Sequence, residues 1–209
     1  MPAETSSFAS DHADGTTGED AARTQIRAQV EAAGTSFYWA MRLLPAPRRA
    51  AMFAIYAFCR VVDDIADSDE PAEAKFVALA AWRSEVRALY AGTARLALAR
   101  VLATAARDFE LRQQDFLDVI DGMEMDAGAP MLAPDLATLD RYCDRVASAV
   151  GRLSVRIFGD ASPAADRVAH ELGRALQLTT ILRDVVEDAG PVRSKQLAVP
   201  RARRSRVAG

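Results

Sequence analysis

The sequence has little of what extracellular, membrane-spanning or β-sheet proteins usually require. Its 209 residues include only two cysteines, Cys59 and Cys143, and aromatic residues make up 7%. Both cysteines lie in apolar helical patterns, which is typical of core residues in a reducing compartment rather than of a disulfide. No apolar run of about 18 residues is free of charge, and the N-terminus is acidic and polar. The sequence therefore predicts neither a membrane span nor a secretory signal, and a cytoplasmic location is the default.

Basic residues are also scarce over most of the chain. Residues 191–209 carry six Lys or Arg and no acidic residue, which leaves 20 basic and 29 acidic residues, a net charge of −9, in residues 1–190. Because nucleic-acid binding depends on contacts from Lys and Arg to phosphate, this balance argues against a nucleic-acid partner. An acidic body instead suits a protein that collects divalent cations.

Strand-like alternation of apolar and polar residues is absent, and so are internal repeats. Half of the residues are hydrophobic and follow helical spacing, so the predicted fold class is all-α, a compact bundle of mostly buried helices. We expect a disordered tail over 1–20, a folded domain over 21–189 and a disordered basic tail over 190–209. Helices are predicted over 20–34, 36–44, 48–67, 71–90, 93–109, 112–127 and 134–158, with a last one that begins at 162–163 and carries LTTILRDVVED.

One predicted helix carries a stripe of charge on an otherwise apolar surface. At about 100° per residue, Tyr56, Arg60, Asp63 and Asp67 fall within a sector of about 60°, with Asp64 beside it. Buried carboxylates without a partner are costly, so the stripe must face water, a partner charge or a ligand.

A second apolar helix repeats this arrangement with Gln177, Thr180, Asp184 and Asp188. The two aspartates have the same four-residue spacing as the first pair, so each pair presents two carboxylates to one spot. A single such motif is usually a solvated helix face, but two of them on apolar helices are harder to explain in that way. If both face one cavity, their mutual repulsion calls for a cation, and magnesium prefers such hard oxygen ligands. Manganese is the alternative metal.

Two glycines lie inside predicted helices, where glycine costs about 1 kcal/mol relative to alanine. Gly122 belongs to the DGMEMD segment, which begins at Asp121 and is preceded by Asp118, and Gly151 lies in AVGRLSVRIFG. Core packing by close helix approach is the simplest reason for both, and room for a substrate chain is the other.

Five segments, in this order along the chain, resemble the squalene/phytoene synthase family over roughly 33–189. The pair of aspartate motifs is highly specific, and the first segment is most similar to the bacterial, hopanoid-pathway presqualene diphosphate synthase branch of the family. The segments are SFYWAMRLLP (36–45), AIYAFCRVVDDIAD (54–67), DGMEMD (121–126), YCDRVASAVG (142–151) and LQLTTILRDVVEDA (176–189).

The resemblance implies an isoprenoid (terpenoid) synthase bundle with a central cavity and a magnesium-dependent prenyltransferase. The implied reaction is head-to-head condensation of two farnesyl diphosphates to presqualene diphosphate. No dinucleotide-binding fingerprint is present, so no nicotinamide cofactor is expected. The implied roles are metal binding for Asp63, Asp67, Asp184 and Asp188, diphosphate binding for Arg60 and Arg183, substrate binding for Ser36, Phe37, Gln177 and Thr180, and a place near the reacting centre for Tyr56.

Two departures from the family leave alternatives open. Thr180 stands where the family usually has asparagine, and after residue 189 the segment GPVRSKQLAVPRARRSRVAG replaces a GRLYLPRE-like block and the C-terminal helices that would close the pocket. A weakly active or inactive chain is therefore expected, and a basic membrane-binding tail is the functional alternative. The alternative enzymatic hypothesis is a phytoene or dehydrosqualene synthase. The hypothesis from another functional class is a non-catalytic accessory subunit. A monomer and a homodimer are both compatible with the sequence.

Overall fold

The computed structural model describes residues 10–33, 36–128 and 134–188, with side chains placed within 18–33, 38–128 and 134–184. The described residues form nine α-helices and one π-helical turn without any strand, which confirms the all-α prediction. The helices are α1 (Ser10–Ala32), α2 (Ser36–Arg42), α3 (Ala46–Asp67), α4 (Ala72–Tyr90), α5 (Ala97–Asp108), α6 (Gln113–Ala127), α7 (Leu136–Cys143), the π-turn (Asp144–Ser148), α8 (Ala149–Phe158) and α9 (Pro163–Asp188).

Helix α3 lies at the centre of the bundle. Its apolar residues Ala54, Phe58 and Val62 are 0% exposed, and α1, α2, α4, α5, α6 and α8 all pack against it. The rings of Phe58 and Phe116 of α6 meet edge to face with centroids 5.3 Å apart. Since these neighbours occupy the apolar faces of α3, its charged stripe around Asp63 lies on the side that they leave partly open.

Two glycines let the helices beside the stripe approach closely. A Cβ atom at Gly122 of α6 would lie 2.7 Å from Val146 Cγ1 in the π-turn, and one at Gly151 of α8 would lie 3.1 Å from the carbonyl oxygen of Ala169 in α9. Any larger residue would force these helices apart. Close helix approach, the expected reason for both glycines, is confirmed.

Helix α9 packs against α7, the π-turn and α8. Ser162 caps its start, because its Oγ accepts a hydrogen bond from the N–H of Ala165 at 3.2 Å, as the Ser-Pro start signal predicts. The side of α9 that faces away from these neighbours exposes Val168, Leu172, Leu176 and Leu182.

The first helix begins at Ser10 and not at Asp20, so the predicted start was wrong. The side chain of Glu19 is held from two directions: Arg23 donates to its Oε1 at 2.6 Å and Thr104 of α5 donates at 3.0 Å. The contact with Thr104 holds α1 on α5 just before the predicted start of the helix. Tertiary contacts of this kind override weak local helix propensity. Gly34, the predicted end of this helix, lies outside the described residues.

Two further helix predictions need correction. Helix α5 begins at Ala97 and not at Thr93, because Glu85 of α4 accepts the N–H groups of Arg95 at 2.5 Å and Leu96 at 2.7 Å. The long helix predicted over 134–158 is interrupted by the π-turn. Its predicted start is confirmed, since Asp135 accepts the N–H of Thr138 at 2.7 Å.

Neither cysteine is in a disulfide, as predicted. Cys59 lies one turn before Asp63 on α3, and burial, followed by the negative charge of Asp63, raises the pKa of its thiol to about 12. Cys143 is buried in a small apolar cluster with Tyr142 and Ile181. Among the helices described, none has the length and apolar character needed to cross a membrane.

Candidate active site

The charged stripe of α3 forms the first part of the site. The side chain of Asp63 is 24% exposed and lies 3.7 Å from Nη1 of Arg60. Arg60 makes a shorter ion pair with Asp64, whose side chain is 55% exposed, at 2.9 Å. Tyr56 is half-buried one turn earlier and packs against the core. Tyr56, Arg60 and Asp63 therefore share one face of α3, as the helical spacing predicts.

The electrostatic environment of Asp63 is unfavourable to its charge. The pKa of Asp63 is raised to about 7, mainly by burial and next by the neighbouring carboxylate of Asp67. The positive charge of Arg60 lowers this pKa, whereas the charges of Asp64 and Asp126 raise it. A carboxyl group in this position binds a proton, or another positive charge, more readily than an ordinary aspartate does. Strongly perturbed carboxyl groups of this kind are concentrated at functional sites.

Asp126 and Tyr142 complete this acidic region and were not among the predicted site residues. The buried hydroxyl of Tyr142 in α7 donates to Oδ2 of Asp126 at the end of α6, at 3.1 Å. Burial first, and then the charges of Asp126 and Asp63, raise the pKa of Tyr142 far above its usual value. Both residues lie in segments that carry the family resemblance, DGMEMD and YCDRVASAVG, which is the signal that could have singled them out.

The second aspartate motif approaches this region through Tyr142. Ile181 of α9 packs in one apolar cluster with Tyr142 and Cys143, and Asp184 follows one helical turn later. The side chain of Asp184 is 15% exposed and its Oδ1 lies 3.3 Å from Nη2 of Arg183. Arg183 thus pairs with its neighbouring carboxylate in this structure.

The remaining predicted residues are less informative. Gln177 is half-buried on α9, and the hydroxyl of Thr180 donates to the carbonyl oxygen of Leu176 at 3.1 Å. The side chains of Ser36, Phe37 and Asp188 lie outside the described residues, although their backbones belong to α2 and α9. Within the described part of the chain, no three His, Cys, Asp or Glu side chains converge as a ready-made metal site. That both aspartate pairs face one cavity stays a prediction.

Comparisons with known proteins identify relatives of this chain. The family model for squalene/phytoene synthase matches residues 30–206, and so extends beyond 33–189, the range over which the sequence segments resemble the family. The presqualene diphosphate synthase of Rhodopseudomonas palustris is 59% identical over 164 residues, which are 78% of this chain and 58% of that protein. The phytoene synthase of Mycobacterium tuberculosis is 40% identical over 156 residues, 75% of this chain and 51% of that protein.

A crystal structure of a dehydrosqualene synthase in complex with a ligand superposes with a TM-score of 0.72 and 28% identity, covering 83% of this chain and 60% of that one. The fold is therefore the all-helical isoprenoid synthase fold. The chain belongs to the squalene/phytoene synthase family, and it spans about half to three fifths of the length of the relatives that it matches.

Proposed function

We propose that this chain carries the active-site helices of an enzyme that condenses two farnesyl diphosphates head to head into presqualene diphosphate. The relative with 59% identity is a presqualene diphosphate synthase, whereas the phytoene synthase is more distant. The observation that carries the proposal is the shared electrostatic environment of Asp63, Asp67, Asp126 and Tyr142, drawn from three helices. The balanced reaction releases one diphosphate and one proton for each product formed.

The donor chemistry of the site fits magnesium. Asp63 carries a pKa of about 7 because burial and the Asp67 carboxylate oppose its charge, and a bound divalent cation would remove that penalty. By the family resemblance Asp63, Asp67, Asp184 and Asp188 would hold the metal. When bound, magnesium supplies Lewis-acid assistance to the departure of the allylic diphosphate.

The side chains of this chain position and protect the substrate. Arg60 is paired with Asp64 in this structure, and a diphosphate would offer it a second, doubly hydrogen-bonded partner. Arg183, with a side chain 64% exposed, can reach a ligand in the same way. Ile181 and Leu178 present apolar surface beside Tyr142, which limits the access of water to a reactive carbocation.

Tyr142 acts in this proposal as a hydrogen-bond donor. Since burial raises the pKa of its hydroxyl far above the usual value, the phenol stays protonated at neutral pH. Its proton is directed at Oδ2 of Asp126, which fixes that carboxylate beside Asp63.

Product analysis with two substrates tests the proposal. The purified chain is incubated with magnesium and either farnesyl or geranylgeranyl diphosphate. We expect presqualene diphosphate from the first only, and in small amounts, because the chain is expected to be weakly active. Asp63→Ala and Asp184→Ala should abolish its formation, whereas Asp69→Ala, an exposed aspartate of the loop after α3, should not.

Each other outcome selects an alternative. Product from geranylgeranyl diphosphate alone would favour phytoene synthase. Magnesium-dependent binding of farnesyl diphosphate without any turnover would favour a non-catalytic subunit. Undiminished product from Asp63→Ala would refute the role of that aspartate as a metal ligand.

A further inference from the structure

Helix α2 and the turn after it expose large apolar side chains next to positive charge. The side chains of Trp39 and Leu43 are 63% and 88% exposed. The guanidinium of Arg42 lies 5.4 Å from the centre of the Trp39 ring and 5.8 Å from that of Tyr38. We call Trp39, Arg42 and Leu43 the α2 ridge. An exposed Trp and Leu flanking an Arg is an arrangement that can enter a membrane interface without losing the solvation of its charge.

A cleft of about 220 Å³ opens between α1 and α3 beside this ridge. Its lining includes Arg23, Arg27 and Arg49 but no acidic residue, and we call it the arginine cleft. Arg49 joins it to the ridge, because its Nη1 donates to the carbonyl oxygens of Arg42 at 3.3 Å and Leu44 at 3.4 Å.

Tyr38 links the ridge and the cleft in a second way. Its ring stacks on Phe53, which lines the cleft, with centroids 6.1 Å apart. The pKa of Tyr38 is raised, mainly by its hydrogen bond to Glu31, and the positive charges of Arg42 and Arg27 act against this rise. The Arg42 guanidinium over the Tyr38 ring and the stacking of that ring on Phe53 join the ridge and the cleft into one continuous surface.

The charge of this surface is positive after its own carboxylates are counted. Glu19 is engaged by Arg23 at 2.6 Å, and Glu31 accepts the Tyr38 hydroxyl at 2.7 Å. Four arginines, Arg23, Arg27, Arg42 and Arg49, stand against these two acids, so the surface has an excess of two positive charges. Residues 1–190 as a whole have the opposite sign, with 20 basic and 29 acidic residues. A positive surface on an acidic protein orients it toward a negatively charged partner.

We propose that the α2 ridge and the arginine cleft form a docking surface for an anionic phospholipid bilayer. Leu43 and Trp39 enter the boundary between headgroups and acyl chains, while Arg27 and Arg42 bind lipid phosphates. The combination of exposed apolar side chains with adjacent arginines fits a lipid surface better than a free phosphate, which would use the cleft and leave Leu43 in water. The proposal concerns the described surface and is independent of the basic segment 191–209 and of the catalytic proposal.

Vesicle sedimentation of the full chain tests this surface. One set of vesicles contains phosphatidylcholine alone, and the other contains equal amounts of phosphatidylcholine and phosphatidylglycerol. We expect binding to the second set only. Leu43→Ser should weaken it about tenfold, as expected for removing one buried leucine side chain, and Arg27→Gln about fivefold, as expected for one charge near the membrane surface.

Two matched variants control for apolar area and for charge. Leu136 at the start of α7 is 84% exposed, and Arg167 is exposed on α9; Leu136→Ser and Arg167→Gln should bind like the wild type. Circular dichroism of every variant checks that the helices are intact.

Tryptophan fluorescence gives a second readout. The chain has two tryptophans, and Trp82 packs against Phe58 with ring centroids 5.7 Å apart. In a Trp82→Phe background, vesicles containing phosphatidylglycerol should shift the Trp39 emission to the blue.

Three results would overturn the proposal. They are equal binding to both vesicle types, equal losses in the control variants, and binding of inorganic pyrophosphate that depends on Arg27 without any binding of vesicles. The last result would identify the arginine cleft as a site for free phosphate only.

Discussion

The two ends of helix α6 carry aspartates in opposite electrostatic surroundings. Near its start, Asp115 is 2% exposed and lies 2.6 Å from Arg152 and 2.9 Å from Arg112. At its end, Asp126 is bound by the neutral hydroxyl of Tyr142 and adds to the negative charge around Asp63. The first arrangement pairs each carboxylate with arginine, whereas in the second burial and neighbouring carboxylates raise the pKa of Asp63.

The neutralised cluster is a network that ties four segments of the chain together. Arg152 of α8 also binds Asp118 and Asp144, each at 2.8 Å. Burial acts to lower the pKa of Arg152, but the hydrogen bonds to Asp115 and Asp144 outweigh it and raise that pKa above the usual value. Arg112 adds a bidentate pair with Asp166 at the start of α9, at 2.8 and 3.1 Å. Such complete pairing is what a structural role requires.

In the region around Asp63, by contrast, the negative charge of this carboxylate destabilises the folded protein. Arg60 lies 3.7 Å from Asp63, and burial with the neighbouring carboxylates still raises the pKa of Asp63 to about 7. The fold pairs carboxylates with arginine at one end of α6. Near the other end Arg60 does not offset burial and the neighbouring carboxylates, so the charge of Asp63 is under-neutralised, and we call this the under-neutralised region. The comparison points to a function for the second region, because the raised pKa of Asp63 favours the binding of a proton or another positive charge there.

The largest effect is expected from removing the central arginine of the neutralised cluster. Arg152→Met should lower the free energy of unfolding by about 3–5 kcal/mol, since it leaves the buried Asp115 with Arg112 alone and deprives Asp118 and Asp144 of a partner. Urea unfolding measures the change. Arg167→Met, at an exposed position of α9, should change stability by about 0.5 kcal/mol or less. A loss below about 1 kcal/mol for Arg152→Met would show that the network is not structural.

Substitution of Asp63 is expected to increase the free energy of unfolding instead of lowering it. Its folded pKa of about 7 lies above the ordinary value of 3.8, so the unfolded chain releases this proton first and stability falls as the pH rises between these two values. Asp63→Asn should therefore stabilise the metal-free protein above about pH 7, by about 1–3 kcal/mol, and leave it unchanged below about pH 4.

Thermal unfolding across this pH range measures the difference between the variant and the wild type. Asp69→Asn, in the exposed loop after α3, should show no such pH-dependent gain. Magnesium should raise the Tm of the wild type at pH 8 and should have a smaller effect on Asp63→Asn. A destabilised Asp63→Asn protein at high pH would contradict the idea that this carboxylate is held at a cost.

Those features of the two regions that depend on a single helix could be predicted from the sequence. The spacing of Tyr56, Arg60 and Asp63 on α3 is local, so periodicity alone was enough to place these side chains on one face. The Asp135 and Ser162 caps were likewise predictable, because each cap acts within its own first turn.

The parts that join helices were not predictable from local patterns. The pairing of Asp126 with Tyr142 depends on how α6 meets α7, and the cap that Glu85 provides for α5 comes from another helix. No local signal marks the π-turn over 144–148, although it lies where Val146 fits against Gly122. Resemblance to a family supplied the order of the segments, but only the packing shows which carboxylates are neutralised.

The smallest effect, and the most direct test of the contrast, concerns the hydrogen bond from Tyr142 to Asp126. Tyr142→Phe removes the donor and should cost about 1 kcal/mol. Asp126→Ala removes the acceptor but also takes a negative charge away from Asp63, so its net effect should be smaller. The double variant should recover the hydrogen-bond contribution as a coupling energy of about 1 kcal/mol.

Tyr90→Phe serves as the matched control for this cycle, because the Tyr90 hydroxyl donates to a backbone carbonyl, that of Leu111, at 2.7 Å. The loss of stability in Tyr90→Phe should add to that of Asp126→Ala without coupling, since the two sites share no partner.

The effect of the Asp126 charge on Asp63 can be measured separately with the same variants. Asp126→Ala should lower the pKa of Asp63 toward its ordinary value, and so reduce the high-pH gain that Asp63→Asn produces. If the gain were undiminished, Asp126 would not belong to the under-neutralised region, and the contrast between the two ends of α6 would rest on Asp67 and burial alone.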